Sequence, residues 1–182
     1  MSWLGNLVVV SVGAAALGMM MNTVPDYNSS FQPLAVFAND EGVGDSSLFR
    51  AELKGLRTAD RVVYQSFGQE VSRDTSAVFL VAELDITGGS SSRPLQAVWR
   101  GATGRQYNQS ARVENAPRDL SLRSVEPGLT DRVIAIFELP EDEIVGGRLG
   151  VMPLGTTAGE IMMHFPKVES LPQRQAMLRL GS

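Results

Sequence analysis

The chain has 182 residues, 43% hydrophobic and 20% charged, enough for one packed domain and an appendage. Sixteen Lys and Arg against twenty Asp and Glu give a net charge of −4, which excludes the basic surface of a general nucleic-acid binder. With no cysteine and a single histidine, His164, disulfides, thiol nucleophiles, Cys-ligated metals and multi-histidine metal sites are excluded as well.

The negative charge is concentrated at the start. Residues 1–49 hold Asp26, Asp40, Glu41 and Asp45 and no Lys or Arg. Trp3 to Met21, WLGNLVVVSVGAAALGMMM, has no charged side chain. At about 1.5 Å per residue it would extend roughly 28 Å, near the thickness of a bilayer's hydrocarbon layer. A cleaved signal would open on Lys or Arg and end at a small-x-small site. This run does neither, so residues 1–21 are expected to be a retained transmembrane helix. Its expected orientation has the N-terminus cytoplasmic and the remainder extracytoplasmic. Ser11, Ala14, Ala15 and Gly18 form a small-residue stripe suited to close packing with a partner helix in lipid. Met19 to Met21 read as packing residues at the end of that helix, not as soft-metal ligands.

Residues 22–47 read as a linker, punctuated by Asn, Ser, Pro, Asp and Gly, with an opening strand at Leu34–Ala38. From residue 48 the apolar residues recur with period two. Phe49, Ala51 and Leu53 alternate with Arg50, Glu52 and Lys54, and Arg61–Tyr64 is a second short strand. In AVFLVAELDIT (77–87), Val78, Leu80, Ala82, Leu84 and Ile86 form one face. Phe79 and Val81 precede Glu83 and Asp85 on the other, which turns from covered to wet. Leu95, Ala97 and Trp99 alternate, and GATG closes that strand. In VEPGL, Pro127 presets the second position of a type II turn and Gly128 takes the positive φ of the third. RVIAIFELP (132–140) is apolar on both faces. GGRLGVMP and EIMMHFP add two strands, and the tail at 169–182 reads as a short amphipathic helix with Met177, Leu178 and Leu180 apolar. Seven to nine short strands with turns every 8–12 residues predict an all-β antiparallel sandwich over 48–168.

Several of these segments carry a resemblance. Gly104 and Tyr107 form a Gly-x-x-Tyr segment, Pro127 and Gly128 a turn, and Phe137 and Pro140 a Phe-x-x-Pro strand end. Over about residues 46–155 their order resembles an immunoglobulin-like family of unknown function, found on bacterial lipoproteins and membrane-anchored extracytoplasmic proteins. The family often has Asn where the long strand exits; this chain has Thr87 near that position. The resemblance implies an immunoglobulin-like sandwich, extracytoplasmic placement and a binding or scaffolding role. It carries no catalytic residues to transfer.

The residues themselves supply no catalytic constellation. His164, between Met163 and Phe165, reads as a solvent-facing strand residue, and Tyr107 as a packed aromatic with a satisfied hydroxyl. Glu138, Glu141, Asp142 and Glu143 around Pro140 read as a solvated acidic turn, and Asp40, Glu41 and Asp45 likewise. Neither group has the calcium-loop pattern. Phosphate-loop, dinucleotide and G-x-S-x-G motifs are lacking. No cofactor and no metal are expected. The expected function is a non-enzymatic accessory or structural subunit. Its anchor helix and β-domain would dock on an integral membrane protein complex in contact with lipid, without nucleic acid. The alternative is an extracytoplasmic module that binds or senses calcium or an envelope polymer through the acidic loops.

Overall fold

The structure, a computed structural model, describes residues 3–23, 34–155 and 161–181; within the first segment the side chains of 4–9 and 21–23 are not described. It divides into two units, residues 1–32 and 33–182. The first unit is the helix α1, Trp3–Thr23, without an acidic residue in its first turn or a basic one in its last. Ser11, Ala14, Ala15 and Gly18 lie on it and are exposed, as are Met19 and Met20. The expected membrane span is not found: among the described residues no helix is long and apolar enough to cross a membrane. The segment 24–33, part of the expected linker, lies outside the described residues.

The second unit is a β-sandwich of two six-stranded sheets. Its strands are β1 (Leu34–Phe37), β2 (Val43–Asp45), β3 (Phe49–Ser66), β4 (Gln69–Gly88), β5 (Arg93–Arg100) and β6 (Gln106–Asn108). They continue with β7 (Ser124–Val125), β8 (Thr130–Leu139), β9 (Arg148–Pro153), β10 (Ile161–His164), β11 (Arg174–Gln175) and β12 (Leu178–Arg179). The first sheet runs β1-β10-β9-β5-β6 with β7 beside β5, and the second runs β11-β3-β4-β8 with β2 and β12 also on β3. The consecutive strands β4 and β5 lie in different sheets, β4 pairing with β8 and β5 with β9. This is the crossing connectivity of Greek-key sandwiches.

The alternation read from the sequence sorts the core. Val78, Leu80, Ala82, Leu84 and Ile86 of β4 meet Val133, Ala135, Phe137 and Leu139 of β8 and the inner face of the first sheet in one cluster. Phe79, Val81, Ile134 and Ile136 point the other way, into a second cluster. That cluster is closed by Val113 and Ala116 from the loop 109–119 and by Leu178 and Leu180. The second sheet is therefore buried on both faces, as the continuous apolar run of β8 requires.

Three boundaries differ from expectation. The sandwich starts at β1 rather than at residue 48: β1 pairs in parallel with β10 and β2 with β3, so backbone hydrogen bonding recruits a segment whose composition looks like a linker. The two short strands around Phe49 and Arg61 are one strand of 18 residues, and its partner β4 has 20. The tail 169–182 contains the short strands β11 and β12 and no helix among its described residues. The two strands lie parallel to successive stretches of β3, and alternation buries Leu178 and Leu180 while Arg179 stays out.

Candidate functional site

The expected turns form and are used as packing devices. Gly128 has φ +72°, and the Leu129 N–H donates to the Glu126 carbonyl at 3.2 Å, closing the Pro127–Gly128 turn. Gly104 has φ +86° in a turn where the Gly104 N–H donates to Gly101 at 2.9 Å. Phe137 is fully buried with its ring 6.3 Å from Trp99, and Pro140 ends β8.

The acidic turn after Pro140 is a correction. Glu143 is buried, and its carboxylate accepts from the Thr103 N–H at 3.0 Å and the Thr103 hydroxyl at 2.6 Å. Its backbone carbonyl accepts from Trp99 Nε1 at 3.0 Å. The Thr103 hydroxyl, then the Thr103 N–H, hold the carboxyl below its ordinary range against the opposing effect of burial. The Tyr107 hydroxyl faces this carboxylate and lowers its pKa further. Glu138 instead takes Thr75 Oγ1 at 2.6 Å and Arg112 Nη1 at 2.5 Å, and Glu141 pairs with Arg174. Glu138, Glu141 and Glu143 therefore do not converge on one point. Among the described residues Asp45 reaches Arg50, at 4.0 Å. Among the described residues no group of three or more His, Asp or Glu side chains could hold a metal ion.

His164 is half-buried rather than solvent-facing. Phe37, its cross-strand neighbour, stacks on it with ring centroids 5.5 Å apart. Burial lowers its pKa, and Arg148 and Arg100 lower it further. No nucleophile or orienting carboxylate accompanies it in these contacts, so the geometry supplies no acid–base pair.

A concave surface forms where the outer half of the β3–β4 hairpin meets the loop 109–119. Opposite the single Asp60, β4 places four residues, Thr75–Val78, so the ladder is interrupted before it resumes at Arg61–Asp74. The hairpin tip is Phe67–Gly68, both with positive φ (+49° and +80°), the signature of a two-residue type I′ turn. The loop is tied to the hairpin. The Tyr64 hydroxyl donates to the Glu114 carbonyl at 3.0 Å and Arg73 Nε to the Arg112 carbonyl at 3.0 Å. Arg112 Nη2 donates to the Asp74 carbonyl at 2.9 Å. At the loop's base Asp119, buried, accepts from Gln109 Nε2 and the Ser121 N–H, both at 3.0 Å.

Two depressions, of about 360 and 620 Å³, share Ala111, Glu114 and Asn115 on their walls. The first adds Asp119, Ser121 and Leu122; the second adds Tyr64, Phe67 and Arg73. Phe67 is 92% exposed and Leu122 60%. The non-glycine residues with positive φ among those described are Phe67, Asn115 and Arg118, at the hairpin tip and in this loop. A phenylalanine held in that conformation and left in water is costly on both counts. Sequence reading missed this surface, because only the Phe-Gly dipeptide marks the hairpin tip and the loop has no periodicity.

No known family profile and no curated protein match the chain. In fold it is similar to an uncharacterized β-sandwich protein from Clostridium difficile 630 at 13% identity and TM-score 0.47. That match covers 74% of this chain and 95% of the other. It is also similar to a conserved hypothetical protein from Bacillus anthracis at 12% identity and TM-score 0.45, covering 71% of this chain and 96% of the other. Neither likeness assigns a family or an activity.

Proposed function

We propose that the chain is a non-enzymatic accessory subunit. An immunoglobulin-like β-domain braces an integral membrane protein complex from the extracytoplasmic side, and residues 1–21 anchor it as a single pass with the N-terminus in the cytoplasm. The uncharged run Trp3–Met21 in the sequence supports the anchor. The β4–β8 and β5–β9 pairings support the immunoglobulin-like reading.

The observation that carries the binding role is Phe67. An exposed aromatic at a strained hairpin tip, beside a depression walled by polar groups, has the form of an anchor residue for a protein partner. Asn tolerates the left-handed conformation far better than Phe. Phe67→Asn should therefore raise the melting temperature and remove the partner contact. The experiment is purification of the tagged full chain in mild detergent, with mass spectrometry of what accompanies it. A near-equimolar membrane protein retained by the wild type and lost with Phe67→Asn is expected. A partner-free wild-type chain, or a partner indifferent to Phe67→Asn, would overturn the reading and favour a small-ligand-binding module.

A further inference from the structure

The two sheets differ in charge. Ion pairs such as Arg61–Asp74, Arg132–Asp85 and Arg174–Asp60 lie on the second sheet. The strands of the first sheet, β1, β5, β6, β7, β9 and β10, contain no Asp or Glu, and their charged residues are Arg93, Arg100 and Arg148. Arg100 and Arg148 stand directly opposite each other on β5 and β9, turned away from the core that Trp99 and Leu149 enter. Among the described residues neither makes an ion pair or a side-chain hydrogen bond. Like charges directly opposite on neighbouring strands are destabilising.

On the same face, two residues along, Gly150 pairs with both Val98 and His164. Its missing side chain leaves a dip into which the Met162 methyl, the Val98 methyl and His164 Nδ1 converge. They lie 2.6, 3.2 and 3.7 Å from where a Cβ would stand. Among the described residues Nδ1 is buried without a hydrogen-bond partner. Phe37, 65% exposed, flanks the ring.

We propose that this face binds a phosphate-ester oxyanion across Arg100 and Arg148, beside His164, with Phe37 and Met162 against the ester's apolar part. Two opposed guanidiniums offer forked donors that match a tetrahedral oxyanion, and a bound anion offsets their repulsion. The pit walled by Arg57, Arg118, Arg132 and Arg179 is a weaker anion site: Arg57 is already engaged by Glu83, Arg132 by Asp85 and Arg179 by Glu70.

His164 is the chain's only histidine, so its imidazole nitrogen signals report on this face alone. The test uses the ¹⁵N-labelled full chain in phosphatidylcholine bicelles, titrated with inorganic phosphate and, separately, with chloride at matched ionic strength. A saturable shift of the His164 signals with phosphate only is expected, weakened at least about tenfold in Arg100→Gln and in Arg148→Gln. Both variants should also melt higher than wild type without phosphate, which loss of a purely structural arginine would not produce. The same shift in bicelles doped with phosphatidylglycerol would identify a lipid headgroup as the source. Its appearance with phosphate and glycerol phosphate only would identify a soluble ester. No saturable shift with any of these, or one that survives both substitutions, overturns the proposal.

Discussion

The Glu143 carboxylate receives both the N–H and the hydroxyl of Thr103, forty residues earlier in the chain. This links the turn after β5 to the short 3-10 turn after β8 across the end of the sandwich. Trp99 adds a third tie through its indole N–H to the Glu143 carbonyl, and packs on Phe137 of the facing sheet. The Gly-x-x-Tyr and Phe-x-x-Pro segments are thus two sides of one junction. Gly101 completes it, because a Cβ there would come within 2.1 Å of Glu143 Oε2.

The junction should make stability depend on pH. Thr103 lowers the Glu143 pKa in the folded chain below the ordinary 4.5. A depressed carboxylate contributes stability that is fully present above the unfolded value and is lost as pH falls through the folded one. Wild type should therefore lose melting temperature as pH falls below the ordinary carboxylate range more steeply than Glu143→Gln, which carries no proton-linked charge there. Thr103→Val should be less stable than wild type at neutral pH and show the same flattened profile. Thermal melts across that range check both, and parallel slopes for wild type and Glu143→Gln would sink the assignment.

The sequence makes the strand cores legible because burial there follows a strict period of two. Leu80 and Phe79 could be sent to opposite faces from their positions alone, and the structure puts them in different clusters. Turn chemistry was equally readable at Pro127–Gly128. The strand at Leu34–Phe37 was legible as an apolar run, but its pairing with β10 and the strands of the tail were not, because those pairings are fixed by hydrogen bonds to distant partners. Glu143 was misread because an acidic run after proline looks solvated unless Thr103 is known to face it. The hairpin tip and the Arg100–Arg148 pair depend on register, which one sequence does not reveal.

Gly88 should be intolerant of any side chain. It ends β4, and its N–H donates to the Leu129 carbonyl at 3.2 Å while its carbonyl accepts from the Gly128 N–H at 3.0 Å. A Cβ there would stand 2.3 Å from the Glu126 carbonyl oxygen, a backbone atom that cannot rotate away. Gly88→Ala should cost about 1–3 kcal/mol, as overpacking does, by displacing the Pro127–Gly128 turn. Gly55→Ala on the same sheet, with nothing within 4 Å, is the control and should cost much less. Chemical denaturation of the two variants measures the difference. Equal losses would mean that the contact with Glu126 does not set the requirement.

The tail offers the sharpest separation between strand and helix. As a strand, β12 turns Leu178 into the second core beside Val62 and leaves Met177 47% exposed. As a helix, Met177 and Leu178 would share an apolar side and both would pack. Leu178→Ala should then cost about 2–4 kcal/mol, as large-to-small changes at buried sites do, while Met177→Ala should stay within about 0.5 kcal/mol. The Leu178 loss should also loosen the loop 109–119, because Val113 and Ala116 close the same cluster. Hydrogen exchange at the Ser110 N–H, which donates to the Ile136 carbonyl at 2.8 Å, reads that coupling directly. Faster exchange there in Leu178→Ala, and not in Met177→Ala, is the expected pattern. Comparable effects from the two substitutions would restore the helical reading of the tail.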